Sequence, residues 1–125
     1  SALMRQKGYE FFSVIHPQSI ISPSTDIKDG VQIMAGTVIQ AGSCIGSDTI
    51  INTGSIIDHD CVIGNDCHVG PGSVLSGGVT IGDGTHIGTG SNIIQNIKIG
   101  KNVIIASGSS VFRDIDPDTK FIQKK

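Results

Sequence analysis

Two histidines nine residues apart, His59 and His68, are the side chains in this chain best placed to do chemistry. The first stands between carboxylates in Ile57-Asp58-His59-Asp60-Cys61. An imidazole titrates close to working pH, so such a residue can take a proton from an attacking amine or hydroxyl. The competing reading makes His59 a polar turn residue and gives Asp60 a purely backbone role. His86 follows His68 by 18 residues, and His16 sits in Ile15-His16-Pro17, where a capping or linker role suffices. Imidazoles in register could also share a metal ion. The choice between these chemistries depends on how the backbone spaces the rings.

That spacing is set by a repeat. Seventeen branched aliphatics recur every six residues from Ile15 to Val111, without insertion or deletion. A period of six is neither the 3.6 of a helix nor the 2.0 of a simple strand. Three positions after each aliphatic lie Gln18, Ser24, and then a series of Gly, Asp and Asn running from Gly30 to Asp114. These types tolerate a left-handed backbone at low cost. Pro71-Gly72 has the composition of a type II turn. The next position holds small or β-branched residues such as Ser43, Thr49, Ser55, Cys61 and Cys67.

Each hexad therefore reads as a short strand with two inward side chains, followed by a tight corner. Three hexads close a triangular coil of 18 residues, and coils stack at roughly 4.8 Å. The expected fold is an all-β parallel β-helix in prism form, its lumen filled by the aliphatic column. Tyr9, Phe11, Phe12, Phe112 and Phe121 all lie outside residues 13–111 and are expected to cover the open ends.

Composition bounds the function. The chain has 125 residues and a formal charge of −2, with no basic run, so nucleic acid is not an expected partner. No apolar stretch is long enough to span a membrane, and no signal peptide is evident. Three cysteines, two of them at inward positions, suggest small hydrophobes rather than a disulfide framework, and a cytoplasmic setting.

The residue before each aliphatic points outward, and sorting these by 18 gives three faces. The first reads Ile20, Val38, Ile56, Val74, Asn92, Ser110; the second Asp26, Cys44, Val62, Thr80, Lys98; the third Val14, Gln32, Ile50, His68, His86, Ile104. The first and third are too apolar for solvent over much of their length. Two unlike sticky faces suit a head-to-tail contact closing with three-fold symmetry, so a homotrimer is expected. His59 falls on the corner bordering the first face, and His68 on the third. They cannot easily meet within one prism but can meet across a subunit seam. Gly77 lies one coil above His59 and opens a slot beside the imidazole; Gln95 and Arg113 continue that column. His68 and His86 stack one coil apart, but γ-class carbonic anhydrases also use a pair of histidines five apart, which this chain lacks.

The run from Ile57 to Gly64, followed by His68-Val69-Gly70-Pro71-Gly72, resembles the hexapeptide-repeat acetyltransferases of the sialic-acid O-acetyltransferase and nucleotide-amino-sugar N-acetyltransferase type. The similarity covers about residues 14 to 114. It implies a left-handed β-helix and transfer of an acetyl group from acetyl-CoA, at a trimer interface, to an amine or hydroxyl of a sugar or nucleotide-sugar. By the resemblance His59 is the catalytic base, Asp60 raises its basicity, and His68 contacts the acetyl group. Gly77, Thr89 and Ser107 then line the acetyl-CoA channel, and no metal is expected. The alternatives are a metal-dependent hydratase of γ-carbonic-anhydrase type and a non-catalytic β-helix scaffold.

The expected division is a junction or cap over 1–13, the β-helix over 14–115 and a tail or cap over 116–125. Two departures bear on the acceptor. The N-terminal α/β domain of many family members is not present, so this is a trimmed piece or a naturally short enzyme. The Gly-x-Pro-Ala ending common in the family is absent too.

Overall fold

Two residues of each hexad are extended and the other four turn a corner. In the computed structural model, which describes residues 13–123, this produces eighteen two-residue strands, from β1 (Val14–Ile15) to β18 (Lys120–Phe121), and no helix among the described residues. Tyr9, Phe11 and Phe12 lie outside the described residues. The strands sort into three parallel sheets of seven, six and five, one per face of the prism. As far as Val111, register partners are 18 residues apart, as in Ile56↔Val74 and His68↔His86. The architecture is a parallel β-solenoid consistent with the left-handed β-helix.

The corners depend on residues that accept positive φ. Gly36, Gly42, Gly72 and Gly78 do so with φ between 67° and 77°, and Asp48, Asp60, Asp66, Asn96 and Asn102 with φ between 53° and 62°. Short polar side chains reach this region at lower cost than other L-residues.

The lumen is dry. Ile33, Ile39, Ile45, Ile51, Ile57, Ile63, Val69, Leu75 and their successors to Val111 are buried, each contributing about 1.5–3 kcal/mol on transfer from water. The small inward residues close a second ladder. Ser43 Oγ donates to Asp58 O at 2.8 Å, Thr49 Oγ1 to Gly64 O at 2.7 Å, Ser55 Oγ to Gly70 O at 2.9 Å and Cys61 Sγ to Ser76 O at 3.2 Å. Each ties a buried side chain to a carbonyl at the start of a corner in the adjacent coil; Gly70 O also accepts the Ser73 N–H at 3.2 Å. Cys61 and Cys67 are buried and free, and burial pushes both thiols above their ordinary pKa.

The count of six fails in the last coil. Ile115 bridges Ile99 and Phe121 pairs with Ile105, so this coil is two residues shorter than the others. Asp114, expected at a left-handed corner, is displaced from it. Asp118 takes that conformation with φ 61°, while Asp114 Oδ1 accepts the Lys98 N–H at 2.8 Å. The shift places Phe121 against the end of the aliphatic column. Phe112 does not cap anything: it is 63% exposed on a corner.

The outward faces carry the expected apolar residues, with Ile20 69% and Ile104 48% exposed on the first and third. Val62 on the second face is 46% exposed as well, so the apolar surface is not confined to two faces. No helix among the described residues is long and apolar enough to cross a membrane.

Candidate active site

His59 sits on the corner between β8 (Ile56–Ile57) and β9 (Val62–Ile63). Its backbone is held on every side. His59 N–H donates to Asp58 Oδ1 at 2.7 Å, His59 O accepts from Gly78 N–H at 2.9 Å, and Asp60 N–H donates to Ala41 O at 3.0 Å. The corner is thus tied to the coils above and below it, and the ring projects from a fixed base.

The imidazole has one nitrogen engaged and one open. Nδ1 lies 3.1 Å from Asp60 Oδ2. A carboxylate only accepts, so neutral His59 carries its proton on Nδ1 and leaves a lone pair on Nε2. That nitrogen lies over Gly77, where a Cβ would fall 2.5 Å from Nε2 and 2.6 Å from Cε1. Gly77 is glycine for this contact, since its φ is not in the left-handed region; Gly78 takes that conformation instead. Asp60 combines two functions. It supplies the left-handed corner at φ 57° and folds its carboxylate over Gly42, in the space of a missing Cβ. Asn96 and Asn102 stand in the same way over Gly78 and Gly84, so the placement of Asp60 repeats a packing rule of the prism. The hollow around His59, about 430 Å³, is lined by Asp58, Ser76, Gly77, Gln95 and Asn96. Polar groups dominate it, and it is open to solvent.

His68 belongs to a different edge. It lies on β10 (His68–Val69) beside β13 (His86–Ile87), and the two imidazoles meet edge to face with centroids 5.8 Å apart. Burial, and then the neighbouring His86, hold the His68 pKa below that of an ordinary histidine. Its Nε2 lies 3.2 Å from Asn52 Nδ2. Thr89 and Ser107 share this groove of about 320 Å³, together with Gly70 and Pro71. Among the described residues of one chain, no group of three or more His, Cys, Asp or Glu gathers to hold a metal around the His68–His86 pair.

The expected site residues therefore divide. His59, Asp60 and Gly77 come together at one corner. His68, Thr89 and Ser107 come together along the groove at another. Within one chain the two hollows share no lining residue. Asp58 and Gln95 also line the hollow around His59, and the Asn52 amide contacts His68. The sequence places Gln95 in the column of His59 but gives no sign of Asn52, whose link to His68 joins positions 16 residues apart, outside the 18-residue register.

Comparison with known proteins resolves the lineage. The family model described as "Bacterial transferase hexapeptide (six repeats)" matches residues 45–77 and 78–113, more than half of the chain. The chain belongs to the bacterial transferase hexapeptide family. No curated protein matches it. Among solved structures, this hexapeptide-family chain is similar to a histidine-to-alanine mutant of GDP-perosamine N-acetyl transferase from Caulobacter crescentus, in complex with CoA and GDP-perosamine. Identity is 39% over 95% of this chain and 57% of that one, with TM-score 0.93. It is similar also to the acetyltransferase domain of PglB from Neisseria gonorrhoeae in complex with acetyl coenzyme A, at 34% identity over 95% of this chain and 58% of that one, TM-score 0.93. WeeI from Acinetobacter baumannii matches at 26% identity over 98% of this chain and 60% of that one, TM-score 0.92. The chain spans less than two thirds of the length of each of these relatives.

Proposed function

We propose that this chain is the acyl-transfer module of an acetyl-CoA-dependent acetyltransferase acting on an amine or hydroxyl of a sugar or nucleotide-sugar. The observation that carries the reading is the His59 constellation: Nδ1 on Asp60 at 3.1 Å, and Nε2 open above Gly77 in a polar hollow. The resemblance to enzymes solved with CoA, acetyl coenzyme A and GDP-perosamine supports it.

His59 Nε2 takes the proton from the acceptor amine or hydroxyl as that group attacks, and the resulting imidazolium is stabilised by the Asp60 carboxylate through Nδ1. The thioester donor supplies an activated acyl carbon: its C–S bond breaks as the new C–N or C–O bond forms, and the departing CoA thiolate takes the proton from the His59 imidazolium and leaves as the thiol. The groove of His68, Thr89 and Ser107 suits such a donor, since its floor is built from small residues such as Gly70, Gly88 and Ala106 and gives a long thiol arm room along the prism edge. Because the base and the groove lie on different edges, the working site is assembled between neighbouring protomers of a homotrimer, first face against third. A cytoplasmic setting belongs to the same proposal.

The test is acetyl-CoA turnover on a panel of amino-sugar nucleotides with His59→Ala beside the parent chain. Loss of about 10²-fold or more in kcat is expected from removing a general base. An unchanged rate on an accepted substrate would remove His59 from the role.

A further inference from the structure

Asn52 stands one residue past β7 (Ile50–Ile51), the strand that pairs with β10 on the side away from His86. Its amide orientation is fixed by its own neighbour. Thr53 N–H donates to Asn52 Oδ1 at 2.7 Å, and Thr53 Oγ1 donates to the same oxygen at 3.3 Å. A backbone N–H can only meet the oxygen of the amide, so the NH2 group is the one that faces His68 Nε2 at 3.2 Å. An amide NH2 can only donate. His68 Nε2 must therefore accept, and the ring proton must sit on Nδ1.

We infer that Asn52 is a positioning residue that locks His68 as the neutral Nδ1–H tautomer, making it a hydrogen-bond donor in the groove and barring it from acting as a base. The inference rests on the reading of that groove as the acyl-donor site. Three features act in the same sense. A proton on Nε2 would point at the Asn52 amide hydrogens. A full imidazolium would meet the same opposition, and would stand beside His86 across an edge-to-face contact of 5.8 Å. On the other flank, β7 brings Ile50, which offers no compensating charge. His86 is the titratable group that acts on His68 from a neighbouring strand.

The consequence is a division of labour between two imidazoles in the same tautomer. Both carry the proton on Nδ1. In His59 the Nε2 lone pair is open and can accept a proton. In His68 it is already occupied by Asn52, so the group left to the ring is an N–H donor, suited to a carbonyl oxygen that gains negative charge as the acyl carbon is attacked.

Nitrogen-15 NMR of the histidine rings in the full chain tests this at pH 7.5, without any ligand. In the parent chain, His68 is expected to show a protonated Nδ1 and an unprotonated Nε2. Asn52→Asp keeps the shape and the acceptor for Thr53 but turns the donor facing His68 into an acceptor, so the ring proton should move to Nε2. Asn52→Ala should give a mixture of tautomers. In turnover with acetyl-CoA, both variants should lower kcat by about tenfold or more, with the acceptor KM unchanged. An Nε2–H tautomer in the parent, or an unaltered His68 spectrum in Asn52→Asp, would overturn the inference even if the chain acetylates sugars. A tautomer that moves as expected upholds the lock, and in a chain that turns over no acetyl-CoA it is the acetyltransferase reading alone that falls.

Discussion

The imidazole of His59 occupies the space that a side chain at Gly77 would fill, 18 residues later and one coil above. Gly77 has no left-handed φ to maintain, so an alanine there is compatible with the backbone and conflicts only with the ring. Gly77→Ala should therefore fold with little change in thermal stability, yet lose activity nearly as fully as His59→Ala, within the 10²–10⁴-fold range of a general base. Parallel melting curves and kcat measurements check this. An alanine variant with full activity would show that the position of the ring over Gly77 is not the working one.

Asp60 has a backbone task and an electrostatic one, and substitution can separate them. Asn also accepts the left-handed corner at φ 57°, so Asp60→Asn should leave stability close to that of the parent. It removes the charge opposite Nδ1, and kcat should fall by about tenfold or more. Asp60→Ala removes both functions and should add a stability loss of about 1–2 kcal/mol from the strained corner. Equal activity for the Asn variant and the parent would leave Asp60 as a turn residue.

Ser43, one coil below, anchors the corner of His59 from inside the prism. Its Oγ donates to Asp58 O at 2.8 Å and accepts Cys61 N–H at 3.1 Å. Ser43→Ala strands both groups in a buried interior and should cost about 1–3 kcal/mol in chemical denaturation. Cys61→Ser keeps a donor for Ser76 O and should cost less. The reverse order would show that packing of the sulfur outweighs the ladder bond.

The surroundings of His68 predict the sign of a pH dependence of the fold. Burial and His86 lower its pKa in the folded chain, so the unfolded chain, titrating near 6.5, binds the proton first. Stability is undiminished by this group above about pH 6.5 and falls as pH drops below it. His68→Gln should flatten the change in Tm between pH 7.5 and 5.5 relative to the parent. An identical slope in both proteins would mean that His68 is not held neutral by folding.

Much of this was legible in the chain because one number governs it. Once hexads are grouped in threes, register, faces and lumen follow by counting, and Ile56↔Val74 or His68↔His86 pair accordingly. The count also places His59 under Gly77. It fails where the period stops. The shortened last coil moves Asp114 out of a corner and brings Asp118 into one, and no feature of the aliphatic column announces that loss. Avoidance of the lumen by aromatics predicts a cap at Phe112, yet leaving the lumen also permits an exposed corner. Asn52 escapes the count for a different reason. A period reports which backbone positions stack, whereas the bond from Asn52 to His68 depends on an amide rotamer set by Thr53.

The proposed mechanism requires one protomer to supply His59 and its neighbour to supply the groove of His68. Mixing two separately inactive chains, His59→Ala and His68→Ala, under conditions that exchange subunits tests that requirement directly. In mixed trimers one seam joins an intact His59 to an intact His68, and random assembly should restore about a quarter of the parent activity. A mixture that stays as inactive as its components, with exchange verified by mass, would contradict a site shared between protomers.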